Sequence, residues 1–146
     1  MDILVDTNIL LRVLQRGHPM YRSARNALAT LRRRGDRLCV TPQNIVEFRN
    51  VCTRPASQNG LGSTVATATR LMARIERMLS SLPGSPLVHS RWKEVVSEHA
   101  VVGIQVHDAR LAAAMAVHGV THILTFNTQD FSRYTDLRPL HPTAIG

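Results

Sequence analysis

The stretch Ile3-Leu4-Val5-Asp6-Thr7-Asn8-Ile9-Leu10-Leu11 decides the fold of this chain. Three consecutive aliphatics suit a strand buried on both faces, as in a parallel sheet. Asp6 closes the run, and a helical pattern begins at Thr7. In open α/β sheets, ligands bind at the carboxyl ends of the strands. The reading therefore places a carboxylate at the mouth of a buried strand. Three further acids stand in motif-like settings, Glu47, Asp108 and Asp130.

Outward from that stretch, strands and helices alternate. A helix over Thr7–Gln15 stops at Gly17-His18-Pro19, and Met20–Arg34 is amphipathic, with Ala24, Leu28 and Leu31 on one face. Arg37–Thr41 reads as the second strand, and Pro42 opens a helix to about Arg54. Pro55–Gly62 is a loop. Ser63 is expected to cap a helix through about Leu82, which Pro83-Gly84-Ser85-Pro86 breaks. Leu87–His89 reads as a short strand and Ser90 as the start of another helix. Asp108–His118 is a helix ended by Gly119, Val120–Phe126 a strand, and Leu137–Leu140 a last short strand. This alternation predicts an α/β fold with a mainly parallel central sheet flanked by helices. At 146 residues, with no internal repeat or composition shift, one domain over 1–146 is expected.

Composition excludes several classes. The longest apolar stretch, Leu111–Val117, is far short of the roughly 20 residues that cross a bilayer. No basic region precedes the first apolar run, so no signal peptide is read. Cys39 and Cys52 show no metal or disulfide spacing, and a reduced, cytoplasmic protein is expected. The net charge of +8 comes almost wholly from arginine, since Lys93 is the only lysine. Such a surface attracts phosphate backbones or acidic partners. GC-rich coding gives the same arginine richness, so charge alone assigns no partner.

Each acid has a plain structural alternative. Asp6, Asp108 and Asp130 each stand where a carboxylate caps a helix or helical turn. Glu47 is different. It lies mid-helix beside Val51, about 40° from it on the helical wheel, and so flanks the apolar stripe of Ile45, Phe48, Val51 and Cys52. Gln43 and Val51 occupy the positions four residues away, so no i,i+4 ion pair explains it. Asn44 and Asn50, three residues to each side, could hold its carboxylate. Asp108 shares a helix face with Leu111, Ala112 and Met115 and so points along the core. A parallel sheet gathers strand ends and helix starts on one edge, which makes convergence of the four acids geometrically cheap. Converging carboxylates repel unless a hard cation such as Mg²⁺ or Mn²⁺ binds them. Such an ion can deprotonate a water and orient a phosphate, which points to phosphodiester hydrolysis.

Other chemistries lack their motifs. His107 is read as a solvent-facing residue at a helix start. Gly119 separates His118 from His122, against a zinc site. There is no GxSxG elbow, Gly60–Thr64 lacks the P-loop lysine, and Asp6-Thr7-Asn8 lacks a second aspartate. Scattered aromatics give no base-stacking platform.

Four segments in order resemble the PIN domain family, most of all its small VapC-type ribonuclease toxins. They are Val5-Asp6-Thr7-Asn8-Ile9-Leu10, Asn44-Ile45-Val46-Glu47-Phe48, His107 to Ala114, and Leu124-Thr125-Phe126-Asn127-Thr128-Gln129-Asp130-Phe131. The resemblance implies a three-layer fold and a Mg²⁺- or Mn²⁺-dependent endoribonuclease. In it Asp6, Glu47, Asp108 and Asp130 are the catalytic and metal-binding acids, and Asn8, Thr125 and Asn127 support them. Many relatives carry an acid where this chain has Asn127, so either Asn127 or Asp130 fills the fourth position. The resemblance also implies an RNA substrate, a cognate antitoxin and a homodimer. A catalytically weak PIN-like RNA- or protein-binding module is the alternative, favoured by Asn127, and a DNA-directed nuclease is a third reading.

Overall fold

Short aliphatic runs build the sheet, and their pleat decides which helices cover each face. The computed structural model describes residues 1–146. The strands are β1 (Asp2–Val5), β2 (Arg37–Val40), β3 (Ser80–Ser81), β4 (His122–Leu124) and β5 (Arg138–Leu140). The helices are α1 (Thr7–Arg12), α2 (Tyr21–Arg33), α3 (Pro42–Thr53), α4 (Val65–Met78), α5 (Pro86–Glu98) and α6 (Val106–His118). All neighbouring strands are parallel, in the order β3-β2-β1-β4-β5. The chain runs outward from β1 to β3, then returns to lay β4 and β5 on the other side of β1. The order therefore reverses between β1 and β4, the switch point where ligands bind in such sheets.

Successive side chains of a strand face opposite ways. Ile3 and Val5 pack into one core with Leu10, Leu28, Phe48 and Ile75, which come from α1 to α4. Leu4 enters the other core with Val95, Leu111 and Met115, from α5 and α6. The result is the expected three-layer α/β arrangement. No helix is long and apolar enough to cross a membrane.

Several elements differ from the sequence reading. The long helix expected through Leu82 stops at Met78, and Ser80–Ser81 is strand. Ile75, Leu79 and Leu82 have helical spacing, which hides the change. Leu79 belongs to the core under α1–α4 and Leu82 to the opposite one. Only an extended segment at the sheet edge delivers both, and Leu82 N–H donates to Val40 O at 2.8 Å. The cap of α4 is Thr64 rather than Ser63. Leu87–His89 is not a strand but the first turn of α5. Pro86 sits at the first helical position and Ser85 accepts from Leu87 N–H. The same proline that reads as a breaker starts the helix. Val120–Phe126 shortens to β4, since Thr125 ends the strand.

Gly119 ends α6 as expected, with φ of 67° and open space where a Cβ would lie. Gly119→Ala therefore adds no clash, only left-handed strain. We expect it to lower stability by about 1 kcal/mol, read as a downshifted denaturant midpoint with unchanged slope.

Candidate active site

The carboxyl ends of β1 and β4 build the site. Asp6 follows β1, and its N–H donates to Leu124 O at 3.0 Å. It caps α1, because Oδ1 accepts from Thr7 N–H at 2.8 Å. The capping explanation is thus correct, yet it uses one oxygen only. Oδ2 accepts from the Thr125 hydroxyl at 2.7 Å and from Asn8 Nδ2 at 3.3 Å. Asn8 Nδ2 also donates to Thr125 Oγ1, and its Oδ1 accepts from Phe126 N–H. Asp6 and Thr125, both buried, are therefore locked together across the switch point. Asn127 takes part through its backbone, whose N–H donates to Thr125 Oγ1 at 3.0 Å, while its side chain is exposed.

Glu47 reaches the same place from α3. Its Oε2 accepts from the Thr7 hydroxyl at 3.0 Å and its Oε1 from Gln43 Nε2 at 2.9 Å. Thr7 thus contacts Asp6 through its amide and Glu47 through its hydroxyl. Asn44 does not hold Glu47 directly. It is fully buried, forms a reciprocal cap with Thr41, and donates to Thr7 Oγ1. Asn50 makes no bond to Glu47 either, being exposed on the outer side of α3. Thr7 and Gln43 are site residues that the sequence reading did not assign, and Asn44, read as holding Glu47, acts on it through Thr7. The one signal for Gln43 was its place four residues before an unpaired glutamate.

Asp108 is the third residue of α6, partly buried and without a capping bond. The first turn of α6 is pinned by two donors, Trp92 Nε1 to Val106 O and Gln43 Nε2 to His107 O. Asp130 lies exposed in a 3₁₀ turn, Thr128–Phe131, which buried Phe131 anchors. His107 is exposed, as read.

Electrostatics ties the four acids together. Burial raises the Asp6 pKa to about 6, and the charges of Glu47 and Asp130 add to it, against the lowering bonds from Thr125 and Thr7. Burial also raises Asp108 to about 6, with the charges of Asp130, Asp6 and Glu47 acting in the same direction. Only His107 opposes that shift. The ion pairs of the structure use Asp36, Asp2 and Glu94, none of the four site acids. The donor set is thus all oxygen, mutually repelling and without a protein cation. That chemistry fits a hard divalent ion. No three His, Cys, Asp or Glu side chains close tightly enough to hold an ion by themselves.

The PIN domain family pattern matches residues 3–137. No curated protein sequence matches. Among solved structures, VapBC2 from Rickettsia felis, bound to a DNA fragment from its promoter, superposes with a TM-score of 0.71 at 16% identity, covering 97% of this chain and 98% of that one. A toxin–antitoxin complex from Klebsiella pneumoniae gives 0.62 at 21% identity, covering 96% and 97%. VapC20 of Mycobacterium tuberculosis, a sarcin–ricin loop cleaving toxin, gives 0.63 at 15% identity, covering 83% and 86%. At these identities the likeness is one of fold.

Proposed function

This chain belongs to the PIN domain family, and from that membership we propose that it is a metal-dependent endoribonuclease, the toxin of a toxin–antitoxin pair. The observation that carries the reading is the set of four acids at the switch point, with two pKa values raised to about 6 and no cation paired to them. Asp6, Glu47 and Asp108, with Asp130 at the rim, would hold Mg²⁺ or Mn²⁺. When bound, the ion supplies an activated water and neutralises charge at the phosphate.

The chain's own residues do the positioning. Three donors fix the Asp6 carboxylate, and two fix Glu47. Such outer bonds orient ligands, and their removal typically costs about 10- to 100-fold in affinity or activity. Thr125→Val removes the hydroxyl donor that holds the Asp6 pKa down. We expect RNA cleavage to fall by about tenfold or more. The acid limb of its pH–rate profile should also move to higher pH. An unmoved limb denies Thr125 that role.

A second reading, a PIN-like binding module with little catalysis, draws on exposed Asn127 and on the open spacing of the acids. Calorimetric titration with Mn²⁺ separates the two: heat that disappears in Asp108→Asn supports the nuclease, and no heat supports the module.

The partner side of the reading has its own support. A groove of about 260 Å³ between α1, α2 and α4 is lined by Leu10, Leu28 and Met78, with Arg25, Arg32 and Arg74 among its walls. A helical antitoxin segment carrying acids beside an apolar face would fit its chemistry. We propose a homodimer as well, for which exposed Val46 and Leu87 offer apolar surface. Cys39 and Cys52 are free and buried, which supports a cytoplasmic location. We propose that residues 1–146 form one PIN-like unit.

A further inference from the structure

Arg110 is the cation nearest in sequence to Asp108 that carries no acid partner. It is exposed and enters none of the ion pairs. Its hydrogen bond goes to a neutral group, Gln43 Oε1, at 3.3 Å. Arg110 thus connects to the acid site through Gln43 and not through an ion pair. Gln43 stands between them. Its amide nitrogen is spent on Glu47 Oε1 and on His107 O, at 2.9 and 2.8 Å. That fixes the amide oxygen toward Arg110. The guanidinium has five N–H donors, so four remain for a ligand.

Arg110 and Gln43 also line a small cleft with Thr41 and Ser85. Its volume is about 60 Å³. Gln43 is its shared wall with the acid site, so the cleft lies one side chain from Glu47. An RNA strand approaching four acids meets repulsion at every phosphate except one that finds a cation. Arginine is suited to that contact, since its fork matches phosphate oxygens.

We propose that this cleft is a second phosphate subsite, in which Arg110 holds an RNA phosphate beside the one that is cut. Gln43 keeps Arg110 from collapsing onto Glu47, so the strand is anchored without masking the acids. The inference rests on the nuclease reading.

The test measures binding of a labelled single-stranded RNA, by anisotropy, to Asp108→Asn protein, which is expected not to cut it. Adding Arg110→Gln should weaken binding about fivefold and reduce the slope of log K against log salt by about 0.7, one phosphate contact on a single strand. Arg110→Lys should retain the slope and lose part of the affinity. Arg77→Gln on α4, equally one charge, should change affinity less than twofold. If Arg110→Gln and Arg77→Gln behave alike, the subsite is overturned and the nuclease reading stands. If Asp108→Asn protein binds no RNA at all, the subsite is overturned, and the Mn²⁺ titration of the unaltered protein judges the nuclease reading. Unchanged RNA affinity with weakened binding of a poly-glutamate peptide gives the cleft to an acidic protein segment and overturns the RNA assignment.

Discussion

Asp108→Asn is expected to reduce RNA cleavage by roughly a thousandfold or more, about 4 kcal/mol of barrier, while the fold persists. The carboxylate makes no capping bond and accepts no side-chain hydrogen bond, so the isosteric amide removes charge and little else. Asp6→Asn should cost as much. An amide there can still accept from Thr7 N–H, but it meets the Thr125 hydroxyl and Asn8 amide with a changed donor pattern. Single-turnover cleavage of a labelled RNA at fixed Mn²⁺ gives the rate, and circular dichroism checks the fold. Rates within tenfold of wild type would remove the residue from the chemistry.

Without metal, the protein should lose stability as pH rises from about 4 to about 6. Asp6 and Asp108 have ordinary values near 4 when unfolded and about 6 when folded. In that window the native state binds more protons than the unfolded state, so the slope of stability against pH is negative. For buried Asp6 the penalty above pH 6 is on the order of 3 kcal/mol. Asp108 is more open to solvent, and its share is nearer 1 kcal/mol after screening. The two acids raise each other, so the figures do not add. Asp108→Asn should therefore melt higher than wild type at pH 8 in a chelator, by a few degrees. Mn²⁺ binding to the native state should reverse the order, raising the wild-type midpoint with ion concentration and leaving the variant unmoved. Thermal melts at pH 5 and pH 8, with chelator and with Mn²⁺, read the effect. A wild-type midpoint that Mn²⁺ leaves in place would argue against an ion at these acids.

Much of this was legible where residue type and position agree. Ile3-Leu4-Val5 ahead of Asp6 showed a doubly buried strand with an acid at its mouth. Glu47 stood out because it flanks an apolar stripe with no partner four residues away. Thr7 and Gln43 were not legible, and Asn44 was read beside Glu47 but not as acting through Thr7. Small polar residues near a helix start have many ordinary uses, and only the fold shows that Thr7 faces Glu47, forty positions on. Ser80–Ser81 was hidden because Ile75, Leu79 and Leu82 satisfy a helical period while filling two different cores. Arg110 was lost among the other arginines, since a count of charges does not say which one reaches Glu47 through Gln43.

The bond between Asp6 and Thr125 joins residues 119 positions apart. During synthesis, β1 leaves the ribosome first and waits for β4, nearly the last strand made. A ribosome that stalls or aborts before Thr125 releases a chain holding Asp6 and Glu47 but no hydroxyl to complete the pocket. The pocket therefore forms only after nearly the whole chain has been made.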